Sequence, residues 1–374
     1  MTPVSGFEKI QKLLDNGVHC FTVLDDKDGG SLDPFDYFRL IESLVEDSPA
    51  VALSMSMHLY TVWGLQFLFN EKQKLTYFEK VKNDRALFGS PNEPALYFVT
   101  GRNFNEDEYP IIARKSGNIY FVSGKKRFVS LEPFVKYLPV YCYVKGYNSS
   151  KIGLALFIID KNSEGVSVTK DWNTISMKES YSNTVCFDDV IVKEDQIVFC
   201  EGQTIDKADI LAYLFRLSVC SVYYGIMLKA INMVTESCKK KKVPHTNSKL
   251  SSFPGVQFTL AEMIILQETC YSQIKRFCEL LKNYIVTYPD NIGKDSALNT
   301  ISIITKEYVT KSAEEVVNKA MKIEGIGSIF EDNILSKLYL DIKAGLFHPP
   351  QSDVVYEILA KQKLGIFSFR RRWL

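Results

Sequence analysis

Asp341-Ile-Lys-Ala-Gly-Leu-Phe-His348-Pro-Pro350, set between Gly325-Ile-Gly-Ser328 and Leu364-Gly365, is the stretch around which this chain is organised. A glycine-interrupted turn closes one long helical pattern, a short helix follows, and a His-Pro-Pro break separates it from a last helix. Proline cannot continue a helix, and the residue before it is pushed into extended backbone, so His348 should stand just past a helix end. That places a ring titrating near neutral pH at the mouth of a helical bundle, the natural candidate for acid–base work. The competing reading is a helix-terminus residue whose ring packs on Pro349 or Pro350.

Working back from that stretch, helical spacing holds over about 206–238, 256–284, 296–322, 331–344 and 352–363. Pro244, Pro254-Gly255, Pro289 to Gly293, Gly325 to Gly327 and Pro349-Pro350 fall between these segments. Long helices with short connections pack as an up-down bundle. Upstream the period changes to two. Leu96–Val99, Ile111–Ala113, Asn118–Val122, Leu138–Val144, Gly153–Ile159, Gly165–Val168 and Thr184–Phe187 are short β-rich runs with no helical interlude. They predict an antiparallel barrel or sandwich.

The chain starts with helical patterns at 5–15 and 33–48, separated by Asp25-Asp-Lys-Asp-Gly-Gly-Ser31. Ala50 to Phe69 is almost continuously apolar and predicts a helix buried on most sides, with His58 as its one titratable group. His58 is either a satisfied core histidine or a group facing a ligand at the domain junction. The expected fold class is multi-domain α+β: an N-terminal helical domain over 1–84, a middle antiparallel β-barrel over 85–203 and a C-terminal helical bundle over 204–374.

Composition narrows the function classes. With 374 residues, 46% hydrophobic and 24% charged, there is ample material for a core, and disorder of the whole chain is excluded. Forty-five basic against 44 acidic side chains leave a net charge of +1, which provides no field for nucleic acid or an anionic membrane. Lys239 to Lys242 and Arg370 to Arg372 read as solvated charge. The eight cysteines form no C-x-x-C pair and sit mostly in apolar runs, so they read as reduced core residues of a cytoplasmic protein, and no metal site is expected. Met1 to Lys9 has no signal pattern, and the apolar stretches are interrupted well short of the roughly 20 residues that span a bilayer.

Five phrases, in order, resemble the acyl-CoA dehydrogenase superfamily, including its flavin-dependent monooxygenase branch. They are Asp28-Gly-Gly-Ser31, Gly124-Lys-Lys-Arg-Phe-Val-Ser130, Met177-Lys-Glu-Ser-Tyr-Ser-Asn-Thr-Val-Cys-Phe-Asp-Asp-Val-Ile-Val192, Val256-Gln-Phe-Thr-Leu-Ala-Glu-Met263 and the closing stretch from Gly325 to Gly365. The resemblance lacks the family's first one or two helices. It implies a flavin, usually FAD, held between barrel and bundle in a homodimer or homotetramer; FMN, or no flavin, are the alternatives. It also implies a small-molecule substrate such as an acyl-CoA, and a flavin reductase or electron-transfer partner.

The resemblance assigns expected roles to particular residues. Ser130 falls where the family places a hydroxyl beside the reactive flavin nitrogen, and Phe128 where an aromatic backs the ring. Arg216 matches a family arginine inside an apolar helix, where a charge needs a partner such as a carboxylate. Asn92, opening Asn92-Glu93-Pro94, and Gly325 and Gly327 complete the expected cofactor contacts; His348, Ser130 and His58 are the expected catalytic residues. There are departures. The two family positions for the catalytic glutamate fall at Pro349 and Phe215, and neither carries a carboxylate. The arginine that reaches the FAD diphosphate is replaced within Val243-Pro-His-Thr-Asn247, and the phosphate-binding serine by a residue near Phe98. Each lost charge-assisted donor costs about 1.5–3 kcal/mol.

Three functions follow as expectations. The first is a flavin oxidoreductase acting on an acyl-CoA or similar apolar substrate without the usual glutamate. The second is a monooxygenase using His348 and Ser130, with reduced flavin delivered by a separate reductase, since no Gly-x-Gly-x-x-Gly follows a strand. The third is a non-catalytic, flavin-poor paralogue acting as a partner subunit.

Overall fold

The computed structural model describes residues 5–24, 32–97, 99, 104–147, 153–202, 208–288 and 296–366. Four helices come first. α1 (Gly6–Asp15) is started by a capping box between Ser5 and Glu8. α2 (Pro34–Leu44) starts where Asp33 accepts from the Phe35 amide with proline at the first turn. α3 (Pro49–Leu65) is buried at all 17 of its positions, as its unbroken apolar pattern predicts. α4 (Glu71–Asp84) has no counterpart in the helices read from the pattern, because it is mostly polar and buries only Gln73, Tyr77, Phe78 and Val81.

Strands follow: β1 (Leu87–Phe88), β2 (Ile111–Ser116), β3 (Ile119–Val129), β4 (Val135–Val144), β5 (Leu154–Asp160), β6 (Val166–Thr169), β7 (Asn183–Val192) and β8 (Ile197–Phe199). They form one sheet in the order β6-β7-β3-β2-β4-β5-β8, with β1 on β4. Hairpin neighbours are antiparallel as expected, but β4 runs parallel to β2 (Ile112 opposite Tyr143) and to β1, so the sheet is mixed. The cause is topological: β4 does not continue the β2–β3 hairpin on its β3 side but enters beside β2, in the same direction. The strand expected at Leu96–Val99 is a second correction. Pro94–Tyr97 forms a 3-10 turn, started by Pro94 and by the Glu93 carboxylate accepting from the Ala95 amide at 3.2 Å.

Among the described residues, five helices follow the sheet: α5 (Asp209–Lys240), α6 (Pro254–Val286), α7 (Ser296–Glu324), α8 (Ile334–Ile342) and α9 (Ser352–Lys363). α5 is long and apolar enough to cross a membrane, yet 94% of its most apolar window is buried by the other elements, as for the central helix of a bundle. One continuous core joins α2, α3, the sheet and the bundle. All eight cysteines are free thiols. The change from helices to strands falls between Asp84 and Leu87, and the return to helices between Phe199 and Asp209.

Candidate active site

A small surface cleft lies where the three groups of elements meet. Tyr60 of α3, Asn92 and Leu96 of the segment after β1, Tyr141 of β4, and Asp209 and Phe215 of α5 line it. Its floor is fixed by hydrogen bonds. The Tyr60 hydroxyl lies 2.5 Å from the Ser90 hydroxyl, the Asn92 amide donates to that Ser90 oxygen at 3.1 Å, and the Asn92 carbonyl accepts from the Lys126 ammonium at 3.0 Å. Lys126 is buried on β3, and burial holds its ammonium below the ordinary lysine range. Asn92, expected as a cofactor contact, is thus a fixed part of the cleft wall.

His348 lies behind this wall. Its ring meets Phe215 edge-on with centroids 6.2 Å apart, and Phe215 itself lines the cleft. On the other side it meets Tyr223, also edge-on at 5.6 Å, with the Tyr223 hydroxyl 3.1 Å from Nε2. Its two aromatic contacts are therefore both with α5. From α7 the fully buried Lys306 donates to the Pro350 carbonyl at 3.1 Å. Burial, reinforced by the Lys306 charge, pushes the His348 imidazole down to about 3. Burial likewise pushes Lys306 down to about 8. His348 is neutral at physiological pH.

Ser130 and Phe128 are separated by the shape of β3. Gly124 has φ +136°, and a Cβ there would sit 2.2 Å from the Pro110 carbonyl oxygen; further along, the pairing with β7 slips between Lys126 and Val129. Beyond that slip Phe128 adopts φ +61° and stands 61% exposed, with Trp172 edge-on at 6.3 Å. Ser130 turns inward. Its hydroxyl lies 2.9 Å from that of Ser182, which lies 2.8 Å from that of Ser180, a chain of three buried hydroxyls. A large ring held outward in left-handed backbone is a surface on which a planar aromatic group such as a flavin ring can stack. The Val243–Asn247 turn is exposed and offers no guanidinium. Phe98 and Asp28–Ser31 lie outside the described residues.

Four of the expected residues, His58, Arg216, Gly325 and Gly327, do not line the cleft. His58 is not available for chemistry: its Nδ1 accepts from the Phe88 amide at 2.9 Å, its Nε2 lies 2.9 Å from the His19 carbonyl, and burial pushes it down to about 4. It ties α3 to β1 and to the turn after α1. Among the described residues Arg216 shows no carboxylate partner; its Nη1 donates to Asn299 Oδ1 at 2.9 Å and Ser302 Oγ at 2.7 Å on α7, and its guanidinium lies over the Tyr213 ring. Neutral acceptors and a ring face satisfy the guanidinium, which belongs to the α5–α7 contact. Gly325 and Gly327 do not line the cleft. They form the stop after α7, where Gly325 (φ +81°) donates to the Met321 carbonyl and Ile326, Ile329 and Phe330 stand exposed.

Asp209 was not anticipated. An acidic residue in the first turn of a helix is the usual complement to the helix dipole, so nothing in the sequence set it apart.

Helices, a mixed sheet and a helical bundle meet at an apolar cleft, with an exposed aromatic and a buried serine at the end of one strand. The acyl-CoA dehydrogenase middle-domain model matches residues 101–190 and the C-terminal-domain model residues 212–364, and the chain belongs to the acyl-CoA dehydrogenase superfamily. YdbM of Bacillus subtilis, which carries an acyl-CoA dehydrogenase name, is 24% identical over 358 residues, covering 95% of this chain and 89% of YdbM. The 3-(aryl)acrylate reductase of Clostridium sporogenes is 22% identical over 360 residues, covering 96% and 90%. Among solved structures, the dibenzothiophene monooxygenase TdsC of Paenibacillus sp. A11-2, in complex with FMN and indole, superposes with a TM-score of 0.81 at 16% identity, covering 97% and 92%. Proteins named as dehydrogenase, reductase and monooxygenase thus share this fold.

Proposed function

We propose that this protein is a flavin-dependent oxidoreductase acting on an acyl-CoA or a similar apolar acyl compound, without the carboxylate base of its family. The observation that carries this reading is the cleft itself: a concave, mostly apolar surface at the junction of all three groups of elements, with Tyr60, Tyr141 and Phe215 in its wall and His348 one ring behind it. Phe128 would back the flavin ring and the Ser130 hydroxyl would lie at its edge. When bound, the flavin would supply the electron-accepting or oxygen-activating chemistry that no side chain provides. Tyr60, Tyr141 and Phe215 would hold the apolar part of the substrate and exclude water. The Val243–Asn247 turn supplies no charge to a diphosphate, so FAD has no evident advantage over FMN.

A second reading, oxygenation with reduced flavin delivered by a partner reductase, is favoured by one specific observation. The two family positions for a carboxylate hold Pro349 and Phe215, and the neighbouring half-buried imidazole is held neutral, which suits a hydrogen-bond donor. Self-association as a homodimer or homotetramer is supported by the exposed Ile326, Ile329 and Phe330. The test is anaerobic mixing of flavin-loaded protein with a panel of acyl-CoA esters. Bleaching of the flavin band establishes the first reading. No bleaching, together with substrate-dependent oxygen uptake once reduced flavin is supplied, establishes the second. A protein inert in both assays overturns both.

A further inference from the structure

Building on the reading of His348 as the polar group of the site, we propose that Tyr223 is a positioning residue that fixes the tautomer of His348. The neutral imidazole then carries its hydrogen on Nδ1 and is a donor there, not a base. The argument starts from the phenol. Tyr223 is fully buried on α5, and among the described residues its hydroxyl has one hydrogen-bond partner, His348 Nε2 at 3.1 Å. Two arrangements share that distance. In one, the hydroxyl donates to an unprotonated Nε2, and a neutral ring must then carry its hydrogen on Nδ1. In the other, Nε2–H donates to the phenolic oxygen, and the phenolic hydrogen is left without an acceptor inside the protein. An unmade hydrogen bond of a buried donor is expensive enough to bias the pair by roughly tenfold or more toward the first arrangement.

The surroundings hold this choice in place. A Cβ on Gly345 would lie 2.6 Å from Cε1 of the Tyr223 ring, so the phenol is wedged against the turn that precedes His348 and cannot swing to another acceptor. The doubly protonated ring is opposed from α7, where the Lys306 ammonium is buried with the Pro350 carbonyl as its hydrogen-bond partner. Asp341, the carboxylate whose field reaches Tyr223, is itself held by the Met177 amide at 2.6 Å. Its charge keeps the phenol protonated, so the choice between the two arrangements rests on where the phenolic hydrogen finds an acceptor. A glutamate at the family position accepts a proton; this Tyr–His pair presents one. That difference accounts for a site in which the carboxylate is absent and the ring that replaces it is kept uncharged.

His58 supplies an internal reference of the opposite sense. Its Nδ1 can only accept from the Phe88 amide, so the hydrogen sits on Nε2, facing the His19 carbonyl. Two of the four histidines should thus be neutral in opposite tautomers.

The experiment uses the full chain labelled with 15N in its histidine rings, with no flavin or substrate added, and reads two-bond proton–nitrogen correlations at neutral pH. The expected result is one ring with the Nδ1–H pattern that vanishes in His348→Gln, beside a second, from His58, with the Nε2–H pattern. In Tyr223→Phe the His348 pattern should move toward Nε2–H by about tenfold in population while the His58 pattern stays. A wild-type His348 ring in the Nε2–H or the doubly protonated form overturns the proposal, and so does a Tyr223→Phe spectrum in which His348 keeps Nδ1–H unchanged. Should Tyr223→Phe fail to fold, the wild-type pattern alone decides. Because no flavin enters the measurement, a chain that binds none would sink the functional reading and leave this result standing.

Discussion

His58→Ala removes a ring and two hydrogen bonds from a place where neither is replaceable. The side chain is fully buried, and the groups it releases, the Phe88 amide and the His19 carbonyl, belong to backbone enclosed by α3, β1 and the turn after α1. Each orphaned backbone group costs about 1–3 kcal/mol, and deleting a buried ring leaves a cavity worth about 3–5 kcal/mol in comparable aromatic-to-alanine changes. These contributions overlap, so the expected loss is at least about 4 kcal/mol, a large part of the roughly 5–15 kcal/mol that holds a folded protein together. Urea unfolding followed by far-ultraviolet circular dichroism measures it. The same residue has a pH signature. Its folded value is depressed by burial to about 4 from the ordinary 6.5, so the unfolded chain takes up the proton first. The contribution is whole above about pH 6.5 and is lost as pH falls toward 4, by about 3 kcal/mol. The variant should lack that acid-labile component. A stability loss under about 1 kcal/mol, or a fully stable variant that has lost turnover, would refute the structural role and return His58 to the chemistry.

Three further outcomes are expected. Lys306 has its folded value depressed to about 8 from 10.5, so its contribution is present above about pH 10.5 and lost as pH falls through 8. The stability difference between wild type and Lys306→Met should change by about 3 kcal/mol across that window in thermal melts, and a flat difference would show that the ammonium is solvated. Phe128→Ala should leave unfolding unchanged, because the ring is exposed, yet weaken flavin binding about threefold to tenfold by the worth of one aromatic contact. Gly124→Ala should cost more than about 1 kcal/mol in urea, since the position combines φ +136° with a Cβ only 2.2 Å from the Pro110 oxygen; an unperturbed midpoint would mean that the bulge in β3 yields easily.

Where hydrophobic pattern decides structure, the sequence was sufficient. The unbroken apolar run of α3 became a helix buried at every position, and the His-Pro-Pro break put His348 past the end of α8 against two α5 aromatics. Where the decisive contact is polar or distant, pattern was silent. α4 hides because four buried side chains in a charged helix give little periodicity. The parallel pairing of β4 with β2 depends on which edge a strand enters, which alternation does not encode. Arg216 was expected to need a carboxylate because a buried charge usually does, but Asn299 and Ser302 lie more than eighty residues away and satisfy it without one. His58 could be weighed but not resolved, since both of its partners are backbone atoms that any sequence would possess.

Flavin binding is the claim on which the remaining chemistry depends, and titration of the purified chain with FAD and with FMN, followed by absorbance and by tryptophan quenching, measures it most directly. Saturable binding of at least one flavin, with a perturbed flavin band and an affinity lowered by Phe128→Ala, is the expected result. A chain that takes up neither flavin would contradict it and leave the fold serving a partner subunit instead.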